Sequence, residues 1–180
     1  MLPNLLTGLR IALIPIVMLL MLSGDSFYRE DLAVLFFGLA GITDFFDGYL
    51  ARKWNKESEI GRFSDPIADK LIVVGVLVIL LVTGKIMLID LLPVSLILFR
   101  EIFVSGLREY LGNFSVKLPV SWLAKWKTAV QLIALPFLIF FPIWSDYFII
   151  GRVLLWISAI LAIKTGWSYF KVAIKYMKRS

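Results

Sequence analysis

The chain has no cysteine and no histidine. Disulfide frameworks, thiolate nucleophiles and the usual zinc sites are therefore excluded, as is any mechanism that needs an imidazole base. Charge is also scarce: only 18% of the 180 residues are Asp, Glu, Lys or Arg. A soluble domain carries about 25%. No internal repeat, low-complexity tract or long linker interrupts the chain, which reads as one domain spanning residues 1–180. What is present in excess is apolar surface, with 60% hydrophobic residues and a mean hydropathy of +0.88. One soluble core of this size cannot bury that much, and disorder is excluded on the same ground. The composition reads as an all-α integral membrane protein.

A spanning helix needs about 20 mostly apolar residues. Six stretches qualify, at about 4–23, 31–51, 65–84, 87–108, 122–143 and 147–175. The first is expected to be a retained span, because no basic segment precedes it. Pro15, Pro93 and Pro136 fall within spans, where neighbouring helices can re-satisfy the freed carbonyls. The joining segments 24–30, 52–64, 85–86, 109–121 and 144–146 are short, which predicts a bundle of antiparallel neighbours. Arg29, Lys85 and Arg152 lie in or near the loops after spans one, three and five, and the other basic residues fall on the opposite side or in the spans' inward halves. The positive-inside rule then places both termini in the cytoplasm. The net charge of +6 fits a cytoplasmic membrane face against anionic lipid rather than a nucleic-acid surface.

The chemistry concentrates between Asp44 and Asp69, in DFFDGYLARKWNKESEIGRFSDPIAD. Asp44 and Asp47 are three residues apart, so on a helix they stand about 60° apart. Gly48 and Ala51 follow them and leave that face without side-chain bulk. Asp65 and Asp69 are four apart, about 40° round the next helix. Pro66 suits a first helical turn, with Ser64 or Asp65 as its cap. The short loop is expected to bring these helix ends together, so that four carboxylates face one another at the inner edge of the membrane.

One aspartate at a helix centre in the bilayer costs about 2.5–3.5 kcal/mol, less near the interface. Four together also repel. They need positive charge, and carboxylate oxygens without His or Cys suit a hard divalent cation such as Mg²⁺, Mn²⁺ or Ca²⁺. Four carboxylates can hold two such ions. Glu57 and Glu59, among Lys53, Lys56 and Arg62, read as solvated surface charge.

The spacing D-x-x-D-G-x-x-A-R, eight residues, then G-x-x-x-D-x-x-x-D is filled by Asp44, Asp47, Gly48, Ala51, Arg52, Gly61, Asp65 and Asp69. It resembles the signature of the CDP-alcohol phosphotransferases. The resemblance implies a six-helix membrane fold, a homodimer and a site holding Mg²⁺ or Mn²⁺. It implies Asp44, Asp47 and Asp65 as metal ligands and Asp69 at the second metal and as the general base. Gly48 and Ala51 would admit the cytidine nucleotide and Arg52 would help hold it.

The acceptor alcohol is addressed by two further segments. Arg100-Glu101 and Arg108 lie in the fourth span, and Lys125 and Lys127 open the fifth, with Gln131 one turn on. Arg100, Arg108, Lys125 and Lys127 offer donors to a second anion such as an acceptor phosphate. Lys125 and Lys127 also suit an inner interface as snorkelling lysines, and Arg100–Glu101 suits a structural ion pair. With the opening PNLLTGLRIALIP, these segments resemble the phosphatidylglycerophosphate synthase branch of the family. That resemblance implies CDP-diacylglycerol as donor, sn-glycerol 3-phosphate as acceptor, and a place in the inner (cytoplasmic) membrane among its lipids. Serine, inositol phosphate and phosphatidylglycerol are the rival acceptors. A cation transporter is the rival of another class, although its acidic site is expected near the midplane between repeats.

Overall fold

The structure is a computed structural model that describes residues 2–23, 27–54, 59–112, 114 and 121–177, with side chains described except at 2–7, 10, 27–28, 44–54, 59–66 and 69. Among the described residues it is helical, with no strand. The helices are α1 (Leu2–Leu22), α2 (Phe27–Trp54), α3 (Glu59–Val82), α4 (Leu91–Gly112), α5 (Trp122–Phe140) and α6 (Asp146–Met177). A short 3-10 turn at Leu88–Asp90 leads into α4.

All six helices fall where apolar stretches predict them, but the boundaries at the acidic segment differ. The expected connection at 52–64 contracts to 55–58, because α2 runs on to Trp54 and α3 begins at Glu59. Ser64 and Asp65 are therefore inside α3 rather than its cap, and Pro66 lies beyond its first turn. The physical reason is length. The 28 residues of α2 make about 42 Å of helix, whereas a bilayer core is about 30 Å thick. Hydropathy marks only the apolar part of a helix, and a helix does not stop where its apolar run ends. Pro93 also differs from expectation. It lies in the first turn of α4, where its missing N–H has no helical partner to lose, whereas Pro15 and Pro136 are interior.

Two of the described helices are long and apolar enough to cross a membrane, Trp122–Phe140 and Asp146–Met177. Ile11–Leu22 and Lys70–Val82 are shorter apolar segments. α4 carries Arg100 and Glu101 mid-helix, which breaks its apolar run.

The chain resolves into two compact units. The first comprises residues 1–86 and 135–148. In it α1 packs against both α2 and α3. Leu13, Ile14 and Val17 of α1 and Ile72, Val76, Leu77 and Leu80 of α3 are buried at helical spacing. The α1–α3 approach is close at Gly75, where an added Cβ would lie 3.0 Å from Cγ2 of Ile14. α3 ends at Val82, and just beyond it Gly84, with a φ of +70°, takes the left-handed conformation that closes helices and that favours glycine. Beyond it Lys85 donates to the Glu30 carboxylate and to the carbonyl of Ile139.

The second unit comprises residues 87–134 and 149–180. Its core is built on α6, whose buried face reads Leu155, Ser158, Ala162, Thr165, Tyr169, Ala173. Small side chains dominate that stripe, so helices can approach closely. Leu107, Leu111 and Ala173 form one cluster, and Val104, Ala124 and Tyr169 another, joining α4, α5 and α6. At its other end Asp90, 2% exposed, accepts hydrogen bonds from Arg152 Nε at 2.8 Å and Trp156 Nε1 at 2.9 Å. The buried carboxylate is thus paired, and it fixes the 3-10 turn to α6.

Candidate active site

The acidic motif is carried by two continuous helices. Asp44, Asp47, Gly48, Ala51 and Arg52 lie on α2, and Asp65 and Asp69 on α3. Their side chains lie outside the described residues. The helical backbone through both pairs fixes their angular separations at about 60° and 40°, so each pair occupies one face of its helix. That donor set is made only of hard carboxylate oxygens in two close pairs, and it fits a hard divalent cation. Among the described residues no group of three or more His, Cys, Asp or Glu side chains could hold a metal ion.

The basic segments are described in full, and three of the four predicted cations converge. Val94, Ile97, Val104, Leu107 and Leu111 mark the buried stripe of α4, and Arg100 and Glu101 interrupt it. Lys127 of α5, only 4% exposed, donates to the Glu101 carboxylate across the α4–α5 boundary. Arg100 Nη1 donates to the same Glu101 Oε1 at 3.2 Å. Its guanidinium lies 5.8 Å from the centre of the Tyr169 ring, and that of Arg108 lies 5.1 Å from it. Arg108 NH2 also donates to the Tyr169 hydroxyl at 3.1 Å, as does the backbone N–H of Ser121, likewise at 3.1 Å. The stem of Arg100 runs close to α6 at Gly166, where an added Cβ would meet its Cγ at 3.3 Å.

Arg100, Arg108 and Lys127 give this cluster three cationic donors beside the Glu101 carboxylate. Lys125 does not join it. At 100° per residue it stands about 200° round α5 from Lys127, and it is exposed.

Sequence reasoning missed two members. Glu101 was legible only as half of an Arg–Glu pair, yet it is the shared acceptor for cations from two helices. Tyr169 gave one signal, its place at i+4 from Thr165 and i−4 from Ala173 on the polar-and-small stripe of α6.

Residues 1–164 match the family model described as CDP-alcohol phosphatidyltransferase. The chain belongs to the CDP-alcohol phosphatidyltransferase family. It is 48% identical over 178 residues to a protein of Rickettsia felis named CDP-diacylglycerol–glycerol-3-phosphate 3-phosphatidyltransferase, covering 97% of this chain and 96% of that one. Proteins of the same name from Cereibacter sphaeroides and Haemophilus influenzae are 39% and 38% identical. They align with 98% and 95% of this chain and with 96% and 92% of their own lengths. The similarity therefore runs through the basic segments of α4 and α5 as well as the acidic motif.

Proposed function

We propose that this protein transfers the phosphatidyl group of CDP-diacylglycerol to sn-glycerol 3-phosphate, giving phosphatidylglycerophosphate and CMP. The observation that carries the acceptor assignment is the buried Arg100–Glu101–Lys127 cluster with Arg108, whose cationic donors suit a phosphate-bearing alcohol. The near full-length similarity to proteins of that name supports the same reading. Serine, with no phosphate, would give this basic cluster less to do.

In this reading Asp44, Asp47, Asp65 and Asp69 hold two Mg²⁺ or Mn²⁺ ions, which supply charge neutralisation at the donor's pyrophosphate when bound. Gly48 and Ala51 leave room for the cytidine nucleotide, and Arg52 holds it. Arg100, Arg108 and Lys127 hold the acceptor's phosphate. Asp69 takes the proton from the acceptor's C1 hydroxyl. That oxygen attacks the phosphorus bonded to diacylglycerol, a new P–O bond forms, and the bond to the CMP phosphate oxygen breaks. The electron pair leaves with CMP.

The helices α1–α6 serve as six spans in the inner membrane, with both termini and the acidic motif on the cytoplasmic side. Lipid donor and water-soluble acceptor can meet at that edge. Trp122 and Trp126, exposed and 5.4 Å apart edge to face, suit the headgroup level there. The chain works as a single catalytic domain and as a homodimer.

The test is an acceptor panel. Purified protein with CDP-diacylglycerol and Mg²⁺ is offered glycerol 3-phosphate, serine, inositol phosphate or phosphatidylglycerol separately. CMP release with glycerol 3-phosphate alone supports the reading. Release only with another acceptor overturns the acceptor assignment, and release with none overturns the reaction.

A further inference from the structure

The buried face of α5 reads Ala124, Lys127, Gln131, Ala134, Leu135 and Leu138. Two of these residues are polar. Lys127 has its partner in Glu101. Gln131 is 1% exposed, and neither its Oε1 nor its Nε2 has a hydrogen-bond partner. The half-buried hydroxyl of Thr128 and the buried hydroxyls of α6 are accounted for within their own helices. Thr128 donates to Ala124 O, Ser158 to Leu155 O, and Thr165 to Leu161 O and Ala162 O. A buried amide with both ends unpaired is costly, and such a group stands where a missing partner belongs. Arg100 Nε is a second orphan, on a side chain that is nine-tenths buried. Arg100 shares the Glu101 carboxylate with Lys127, and Lys127 lies one helical turn from Gln131.

The chemistry of the two orphans limits the partner. Arg100 Nε only donates, which suits a phosphate oxygen. The amide of Gln131 offers one acceptor and a pair of donors. A hydroxyl is a small group that satisfies both ends, because it donates to Oε1 and accepts from Nε2. Resting on the function proposed above, the ligand is a three-carbon phosphate with two hydroxyls. One of them must be left to the base and the phosphorus. The other, on C2, takes no part in bond making. A phosphate at Lys127 leaves the carbon chain to extend by about one helical turn, roughly 6 Å, towards Gln131.

We propose that Gln131 is the specificity-determining residue that reads the non-reacting C2 hydroxyl of the acceptor. The acceptor site then recognises a phosphate and a vicinal hydroxyl together, and it rejects phospho-alcohols lacking the second group. Rejection of this kind arises because the amide stays unpaired when the hydroxyl is absent.

The test pairs one residue with one substrate group. Wild type and Q131L are assayed for CMP release with glycerol 3-phosphate and with 3-hydroxypropyl phosphate, which lacks only the C2 hydroxyl. Wild type is expected to favour glycerol 3-phosphate by about 10–100-fold in kcat/KM. Q131L is expected to lose most of that preference by falling on glycerol 3-phosphate while holding on the analogue. Equal losses on both acceptors, or a preference that survives in Q131L, would overturn the proposal. Wild type that is inactive on glycerol 3-phosphate but active on another acceptor would instead overturn the function on which it rests.

The Tm of the substrate-free protein gives a second readout. Q131L and Q131M remove an unpaired buried amide, so their Tm is expected to hold or rise. A fall of several degrees in both, or failure of both to fold, would show that the amide is a bonded structural member and would overturn the proposal.

Discussion

Glu101 of α4 accepts a hydrogen bond from Lys127 of α5, and it does so inside the second unit with Lys127 almost wholly buried. A buried ammonium persists because a carboxylate answers it. The same carboxylate takes Arg100, so one anion organises cations from two helices. In the proposed reaction the acceptor's phosphate would meet cations already in position, which lowers the ordering cost of binding.

Replacing Lys127 by Ala should raise the KM for glycerol 3-phosphate by about 10-fold or more, with a smaller effect on the KM for CDP-diacylglycerol. A charge-assisted hydrogen bond is worth about 1.5–3 kcal/mol, which supports that size. Steady-state kinetics with each substrate varied in turn checks it. An unchanged KM for the acceptor would remove Lys127 from the pocket. Lys125→Ala, on the exposed face, should change that KM by less than about 2-fold.

Tyr169→Phe should lower stability by about 1–3 kcal/mol while keeping the ring beside both guanidinium groups. The lost hydroxyl is the acceptor for Arg108 NH2 and for the Ser121 N–H. Thermal unfolding in detergent measures the shift, and Tyr169→Ala should shift further because the ring contacts are lost as well.

Asp90→Ala should be among the more damaging changes to folding and among the less damaging to the acceptor KM. It leaves Arg152 and Trp156 without their buried acceptor, at a cost of about 3–5 kcal/mol. Trp156 is thirteen residues from Tyr169, about 20 Å along α6. A pronounced fall in Tm with an unchanged acceptor KM in the surviving protein is the expected result.

The sequence made some of this readable and hid the rest, for physical reasons. Hydropathy located all six helices, because long apolar runs have few other uses. It placed the ends of α2 and α3 wrongly, because the polar ends of those helices carry no apolar signal. The Asp44–Asp47 and Asp65–Asp69 spacings were legible, since helix angles follow from counting. Arg100, Arg108 and Lys127 were legible as charges out of place in apolar segments. Their meeting at Glu101 and Tyr169 was not, because periodicity within one helix does not say which neighbour it faces. Lys125 and Lys127 looked equivalent as charges, and only the 200° between them separates a buried cation from an exposed one. Gln131 was visible as a polar residue one turn on, but its unpaired amide is a property of the packed interior.

Asp69→Asn should cut turnover by about 10²–10⁴-fold, the usual contribution of a positioned base, while sparing nucleotide affinity more than turnover. Rapid-quench turnover and CMP binding, measured on the same preparation, separate the two. Full rate in Asp69→Asn would contradict the assignment of Asp69 as base.

The most direct test of the account follows radiolabelled glycerol 3-phosphate into lipid while CMP is measured in the same reaction, with purified protein, CDP-diacylglycerol and Mg²⁺. The account predicts one labelled lipid phosphate ester formed for each CMP released, no release without acceptor, and loss of both with EDTA that Mg²⁺ restores. CMP release without label in the lipid, or transfer that persists undiminished in EDTA, would contradict it.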